Sequence, residues 1–314
     1  MTHSFMSLSA GNPVSALIER SNHSWTATIE PTRRGSRFIR TRQTDSTIEW
    51  MLKVWHQRRG YASLGMLPWD SEQLGTTAAR INYLVADGPY AQQVETKTAL
   101  VNRVVKEAMA RGVRHLSVRI DASDRSSLHV LEQAGFITVD SILTFAIDLT
   151  EHDPTVVDHD FTLRHATPAD AEVAARLAAN AYSQDRFHAD PSINSDRADR
   201  LHAEWIRNSC LGKAADTVLL AEDTDGLLGY VTCATRRTPD EKTKGTIVLV
   251  ASAAHARGRG VGYATTMAAL EWFREQGCET VEVGTQLSNI TASRLYQKCG
   301  FRLVGSSISL RIIL

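Results

Sequence analysis

The sequence predicts an α/β fold in which a mixed sheet is flanked by helices, built once in full and once, before it, in truncated form. Three observations support this prediction. Apolar runs of strand length alternate with segments of helical periodicity through residues 161–314. A turn rich in glycine and arginine joins one of these strands to a helix. Residues 112–147 repeat without a gap at residues 277–312, which indicates that the architecture occurs twice.

Length and composition limit the classes of function. A chain of 314 residues can bury two cores, and its 35 basic and 35 acidic residues give a net charge of zero. That balance excludes a general binder of nucleic acid or of anionic membranes. The four cysteines have no metal-ligand spacing, which favours free thiols in a reducing compartment. With no membrane-length apolar run and no signal-peptide core, we expect a cytoplasmic protein.

The first half of the chain is expected to form an extension and a small domain. Residues 1–60 are assigned to an extension with a short amphipathic helix, because Ile48, Met51, Leu52 and Trp55 fall on one helical face after Ser46. Residues 61–150 are assigned to a half domain. The predicted elements of this half domain are strands at 78–85, 115–120 and 142–149 and helices at 96–110 and 126–133.

The second half reads as a complete domain, residues 161–314, after a polar linker at residues 151–160. Thr167, Pro168 and Asp170 are typical of a helix start, with a capping hydroxyl, a proline at the first position and an early acid. The predicted strands lie at 161–165, 217–222, 228–233, 246–251 and 281–285. The predicted helices run from Thr167 to about Tyr182, from 196 to 210, from 263 to 273 and onward from Asn289.

The turn between residues 251 and 263 is a candidate anion site. Gly258, Gly260 and Gly262 alternate with Arg257, Arg259 and Val261, immediately before a helix. Glycines let the backbone approach a ligand closely, and the free N–H groups and positive dipole end of the helix favour phosphate. The spacing fits neither a P-loop nor a dinucleotide fingerprint. A plain tight turn with two solvated arginines is the alternative.

The residues downstream of this turn narrow the choice. The two segments together resemble the GNAT family of N-acetyltransferases in order and spacing, over roughly residues 160–314. The matching pattern is Arg257-x-x-Gly260-x-Gly262 followed by Asn289-x-x-Ala292-x-x-x-Tyr296-x-x-x-Gly300-Phe301.

This resemblance implies an acetyl-CoA site and a direct transfer to an amine in a ternary complex. It implies that the turn from Arg257 to Gly262 binds the pyrophosphate and that Asn289 bonds the pantetheine arm. A backbone N–H at Leu249 or Val250 would polarise the thioester carbonyl, in a gap where strand 247–250 splays from strand 281–285. Tyr296 would protonate the leaving sulfur. The structural alternatives are a core tyrosine and a plain helix cap.

The first copy of the repeat departs from this pattern. Asp124 stands in place of Asn289, and Leu131 stands in place of Tyr296. Residues 92–95, at the position of the glycine turn, contain no glycine. We therefore expect the first copy to lack a CoA site and the protein to have one active site.

The acceptor amine is predicted from two short passages, 69–75 and 186–193. Together with residues 205–208 and the segment Thr285-Gln-x-x-Asn289, these passages resemble the dTDP-fucosamine N-acetyltransferases. This resemblance implies that the small-molecule acceptor is a nucleotide-linked amino sugar. Arg186 could pair with its pyrophosphate and Phe187 could stack on a ring, although core packing and a surface ion pair are equally compatible. Candidate bases are His188, Asp190 and Glu72, unless water relays the proton.

Three other functions stay open at this point. They are a tandem enzyme of the mycothiol-synthase type, a protein-directed acetyltransferase, and a non-catalytic CoA-binding module. The retained Arg257, Gly260, Gly262, Asn289 and Tyr296 argue against the last. The sequence also allows a homodimer.

Overall fold

The computed structural model describes residues 29–31, 36–43, 47–54, 57–151, 158–183, 185–238 and 241–314. The strands are β1 (Ile29–Pro31), β2 (Ser36–Gln43), β3 (Thr47–Val54), β4 (Gln57–Met66), β5 (Ala78–Ala86), β6 (His115–Asp121), β7 (Ile137–Asp148), β8 (Thr162–His165), β9 (Thr217–Asp223), β10 (Gly226–Arg237), β11 (Thr243–Ser252), β12 (Cys278–Gln286) and β13 (Arg302–Ile313). The helices are α1 (Pro68–Leu74), α2 (Tyr90–Ala110), α3 (Arg125–Gln133), α4 (Ala171–Ala178), α5 (Arg186–Ala189), α6 (Ser195–Cys210), α7 (Val261–Glu275) and α8 (Ile290–Lys298).

The chain forms two compact units. Among the described residues, the C-terminal unit is Asp140–Ser306, and the N-terminal unit combines residues 29–139 with Ser307–Leu314. In the C-terminal unit the strands follow the order β7-β12-β11-β10-β9-β8, with a parallel pair at β11 and β12 and antiparallel pairs elsewhere. In the N-terminal unit the order is β1-β2-β3-β4-β5-β6-β13, with β5 and β6 parallel. In each unit the strand pairing is therefore mixed, parallel and antiparallel, as predicted.

The last strand of each half of the chain pairs within the unit formed mainly by the other half. Strand β7 ends the first half but pairs with β12, with Ile147 opposite Val281. The end of β13 pairs with β6, with Leu310 opposite Val118. The chain consequently passes from one compact unit to the other near Asp140 and again near Ser306. The sequence analysis placed the domain boundary in a linker at 151–160.

The internal repeat is reproduced in the backbone. Helices α3 and α8 are related by the same 165-residue offset as the sequence repeat. The glycines that follow α3 and α8 have matching left-handed conformations, with φ of 88° at Gly135 and 91° at Gly300. Glycines 112 and 277 likewise have φ of 69° and 70°. The two copies of the sequence repeat therefore share the same backbone structure as well as similar residues.

The helix predicted after Ser46 is wrong, because the structure has strand β3 there, paired antiparallel with β2 and β4. The segment also alternates with period two, Ile48-x-Trp50-x-Leu52-x-Val54, and that pattern favours a strand. Several other boundaries differ, among them that α2 begins at Tyr90, six residues before the prediction, β7 begins at Ile137, five residues before it, and α4 ends at Ala178. Residues 1–28 lie outside the described residues.

Within the described part of the chain, no helix is both long and apolar enough to cross a membrane.

Candidate active site

The two parallel strands of the C-terminal unit diverge halfway along their length. Strands β11 and β12 pair from Thr243 opposite Cys278 to Ile247 opposite Val283. Strand β11 then continues to Ser252 and β12 to Gln286 without further pairing between them in the described chain. An unpaired parallel edge leaves backbone N–H and C=O groups that an extended ligand can bond.

A bulge directs the backbone of β11 at this point. Val231 of β10 lies opposite Val250 and Cys233 lies opposite Ile247, so the register shifts around Thr232. The Leu249 N–H donates to Thr232 Oγ1 at 2.9 Å, within the sheet. The Leu249 N–H is thus already bonded within the sheet. Of the two predicted donors, Val250 therefore stays the candidate for the gap.

The glycine turn leads from this gap into α7. Gly258 and Gly260 adopt left-handed φ angles of 83° and 80°, which favour glycine. Residues 257–260 are exposed, and among the described residues no side chain caps α7, which begins at Val261 after Gly260. An exposed helix start with uncapped N–H groups is a ready anion site.

The two arginines of the turn have different environments. Arg259 pairs with Asp223 at 2.7 Å and with Asp160 at 3.3 Å. Arg257 is exposed and has no ion-pair partner among the described residues. Arg259 therefore anchors the turn to the sheet, and Arg257 is the arginine free to meet a phosphate.

Asn289 caps helix α8. Its side-chain oxygen accepts the Ala292 N–H at 3.0 Å, so the cap alternative is correct. The cap uses the oxygen of the amide group. The Asn289 Nδ2 remains as a donor after the end of β12, because no described residue accepts a hydrogen bond from it.

Tyr296 lies two turns further along α8. Its side chain is 4% exposed and its ring packs between Phe145 and Phe301, at centroid distances of 6.0 and 5.8 Å. Burial raises the pKa of the Tyr296 hydroxyl, which keeps it protonated at neutral pH. No described residue hydrogen-bonds this hydroxyl. A protonated, unengaged phenol suits a proton donor.

The first copy fills the corresponding place with an ion pair. Lys97, which precedes Gly262 by the repeat offset, is 3% exposed and bonds Asp124 at 2.7 and 2.9 Å. Its Nζ also bonds Ser126 at 2.9 Å. Asp124 itself caps α3 as Asn289 caps α8. Helix α2 runs through the position of the glycine turn, which leaves no uncapped helix start there.

The predicted acceptor residues 186–190 form the short helix α5 and the residue after it. The Arg186 guanidinium lies 4.4 Å from the Phe187 ring centroid, and Phe187 is buried. One face of the phenyl ring is thus already covered by its neighbour. Arg186 is half-buried and Phe187 serves the core.

The three candidate bases have different environments in the structure. His188 is bonded to Asp185 at 2.5 Å and to Asp199 at 3.0 Å; burial lowers the pKa of His188, but the two carboxylates outweigh it and raise the pKa. A histidine held protonated is a poor base. Asp190 is buried and accepts the backbone N–H and hydroxyl of Ser192, as a turn residue does. Glu72 is exposed on α1 of the N-terminal unit.

Sequence reasoning missed a group of aromatic residues near Tyr296. The hydroxyls of Tyr182 and Tyr230 lie 3.1 Å apart, and the Tyr182 ring stacks on His202 at 4.3 Å. Burial raises the pKa of the Tyr182 hydroxyl, and the neighbouring Tyr230 and, to a lesser degree, Tyr296 raise it further. These residues come from α6, β10 and the segment after α4, so no sequence spacing connects them.

Comparison with known proteins identifies the class. Residues 179–301 match the family model described as the acetyltransferase (GNAT) family. A GCN5-related N-acetyltransferase from Sphaerobacter thermophilus superposes with a TM-score of 0.59 at 20% identity, covering 84% of this chain and 80% of that one. At this identity the superposition shows the fold alone. Residues 179–301 of this chain, all within the C-terminal unit, thus match the GNAT acetyltransferase family, and members of this family generally use acetyl-CoA.

The curated relatives include a polysaccharide biosynthesis protein and acetyltransferases of two kinds. The spore coat polysaccharide biosynthesis protein SpsD of Bacillus subtilis is 30% identical over 59% of this chain, which covers 61% of that protein. A dTDP-fucosamine acetyltransferase of Escherichia coli is 27% identical over 76% of this chain and 93% of its own length. A mycothiol acetyltransferase of Renibacterium salmoninarum is 26% identical over 61% of this chain and 56% of its own length.

Proposed function

We propose that this chain transfers an acetyl group from acetyl-CoA to a primary amine by direct attack, with the C-terminal unit as its catalytic domain. The observation that supports this most is the junction of two features in that unit. The parallel strands β11 and β12 part after Ile247 and Val283, and β11 leads into the uncapped turn before α7. A pantetheine arm and a pyrophosphate need these two sites in this order.

Four groups would hold the cosubstrate. The N–H groups at the start of α7 and the Arg257 side chain face the position for pyrophosphate. The Val250 N–H would bond the thioester oxygen, and the Asn289 amide would bond the pantetheine arm. When bound, acetyl-CoA supplies the activated acyl carbon.

The residues of the chain then organise the transfer. As the amine nitrogen bonds the acyl carbon and the carbon–sulfur bond breaks, the Val250 N–H stabilises the charge on the carbonyl oxygen. Tyr296 gives its hydroxyl proton to the departing sulfur. The amine proton leaves to water, because His188 is held between two carboxylates and Asp190 is buried and bonded by the Ser192 hydroxyl.

For the acceptor we propose the 4-amino group of a nucleotide-linked (dTDP) amino-deoxy sugar. The support is the dTDP-fucosamine acetyltransferase relative, which aligns over 93% of its length, together with SpsD. Arg186 would pair with the acceptor's pyrophosphate. Phe187, which the sequence analysis offered as a residue that stacks on the acceptor, is buried, and its ring packs against the Arg186 guanidinium. Because all four cysteines are free, we place the enzyme in the reducing cytoplasm.

A second candidate is the acetylation of a mycothiol precursor. Three mycothiol acetyltransferases match at 24–27% identity, and the one from Mycobacteroides abscessus covers 79% of this chain. Acetylation assays with both amine classes separate the two candidates.

The cosubstrate site is tested by Gly260→Glu with Gly277→Glu as a matched control. Both glycines have left-handed φ, 80° and 70°, open space at the Cβ position, and a place beside an end of α7. Backbone strain and added charge are therefore similar. Gly260→Glu places a carboxylate at the phosphate position, and we expect it to lose CoA binding by isothermal titration calorimetry.

Gly277→Glu is expected to bind CoA as the wild type does. Retained CoA binding by folded Gly260→Glu, judged by circular dichroism, would refute the assignment of the phosphate turn.

A further inference from the structure

Three side chains converge between helices α5 and α6 on a point that acetyl transfer does not use. One donor atom each from Asp185, His188 and His202 lies within 4.8 Å of the other two. Asp185 Oδ2 is 2.5 Å from His188 Nδ1 and 3.7 Å from His202 Nε2. The side chains are 13%, 11% and 4% exposed, so the point is shielded from solvent.

The other polar atom of each side chain is held from outside the cluster. His188 Nε2 lies 3.0 Å from an oxygen of Asp199, and His202 Nδ1 lies 2.9 Å from the Ala198 carbonyl oxygen. Asp185 Oδ1 accepts backbone N–H groups of α5 at 2.8 and 3.4 Å. Histidines that bind metals characteristically donate their outer ring nitrogen to a carboxylate or carbonyl, which fixes the tautomer and aims the inner nitrogen.

The protons on the two imidazoles follow from these contacts. Because His202 Nδ1 faces a carbonyl, it carries the hydrogen and Nε2 presents a lone pair to the cluster. His188 faces a carboxylate on each side, so it holds a proton on Nδ1 directed at Asp185. A single proton thus occupies the centre of a cluster whose three inner atoms are otherwise acceptors.

We propose that Asp185, His188 and His202 form a binding site for a divalent metal ion of the zinc class. The ion replaces the proton on His188 Nδ1, and that proton is released to solvent. Two imidazoles and one carboxylate are a common zinc ligand set, with water in the fourth position. Tetrahedral zinc places its ligand atoms about 3.3 Å apart. The His188 ring therefore moves away from Asp185 by roughly 1 Å or less.

The two nitrogen donors select the kind of ion. Mg²⁺ and Ca²⁺ prefer oxygen ligands, whereas imidazole suits Zn²⁺ and its first-row neighbours. The bound ion would fasten α5 to α6 and so hold Arg186 in place. This site does not depend on the identity of the acceptor.

The test is metal binding by the full chain after removal of metals with a chelator. We expect ZnCl₂ to bind with 1:1 stoichiometry in titration calorimetry, with release of about one proton, measured in buffers of different ionisation enthalpy. CoCl₂ should give the visible absorption of a four-coordinate site, and MgCl₂ should not bind at this site.

Variants connect binding to these side chains. His202→Gln and Asp185→Asn should lose the 1:1 binding. Asp199→Asn should keep the stoichiometry with affinity lower by about 10–100-fold. His165→Gln, an exposed histidine bonded to Thr217, should match the wild type.

Two results would overturn the proposal. One is no saturable zinc or cobalt binding by the wild-type chain. The other is equal binding by wild type and by folded His202→Gln, which would identify an adventitious surface ion. If the variants do not fold, the wild-type cobalt spectrum and the proton release decide the question without them.

Discussion

Replacing Tyr296 by phenylalanine removes one hydroxyl and tests whether this tyrosine is a proton donor or a core residue. The ring is buried between Phe145 and Phe301, and phenylalanine keeps that packing. The hydroxyl bonds no described residue, so its loss breaks no hydrogen bond of the fold. The substitution therefore separates chemistry from stability.

The expected magnitudes differ widely. The free energy of unfolding should change by less than about 1 kcal/mol, because no buried partner is left unsatisfied. Loss of a general acid costs roughly 10²–10⁴ in turnover. This corresponds to about 2.7–5.5 kcal/mol in activation free energy. CoA affinity should stay nearly unchanged.

The assay measures thiol release from acetyl-CoA at saturating amine, beside urea unfolding of the same preparations. Tyr61→Phe, a buried tyrosine of the N-terminal unit, is the control and should keep wild-type turnover. Tyr296→Phe with unchanged turnover would refute its role as the acid. A fall in turnover that tracks a fall in stability would assign it to the core.

Two further predictions concern the packing around the two copies of the site. Lys97→Met should lower the free energy of unfolding by about 2–3 kcal/mol, because it leaves the partly buried Asp124 carboxylate without its cation. Burial opposes ionisation of Asp124, but Lys97 and Ser127 outweigh it and lower its pKa. This stabilisation is present above the unfolded aspartate pKa of about 3.9 and is lost as pH falls through the lower folded value. The difference in melting temperature between wild type and Lys97→Met should therefore shrink as the pH falls. A difference that stays constant with pH would contradict this role of the ion pair. Thr232→Val should cost about 1–3 kcal/mol in urea unfolding, because the buried Leu249 N–H loses its acceptor, and an unchanged midpoint would show that another acceptor replaces it.

Much of the fold was predictable because local signals agree with the global structure. Thr167 and Asp170 form a capping box at the predicted helix start, and Gly135 and Gly300 end their helices with left-handed φ as the repeat requires. The segment after Ser46 was mispredicted because it is too short to distinguish the helical period of 3.6 residues from the strand period of 2. In the structure it pairs with β2 and β4 and is therefore a strand.

The exchange of β7 and β13 was beyond local reasoning. Both strands carry the expected apolar pattern, but that pattern does not specify a pairing partner. The chain order suggested a break after Leu149, whereas the contacts place Ile147 beside Val281. The partner of such a strand depends on interactions with residues far away in the sequence, which a local pattern does not show.

Sequence reasoning could propose only the part of the candidate site that lies within one motif. The glycine turn, Asn289 and Tyr296 follow one another along a single strand–helix succession. Asp185, Asp199 and His202 meet His188 only because α5 folds onto α6. That contact also changes His188 from a candidate base into a protonated group held by two carboxylates.

The most direct measurement is acetyl-CoA turnover by the full chain, followed as free thiol, against nucleotide-linked 4-amino sugars, lysine peptides, polyamines and a mycothiol precursor. We predict turnover on the nucleotide-linked amino sugar alone, with N-acetylation of its 4-amino group confirmed by mass spectrometry and NMR. Turnover confined to one of the other amines would retain the CoA chemistry and contradict the proposed acceptor. Absence of both CoA binding and thiol release with every amine would contradict the proposed enzyme itself.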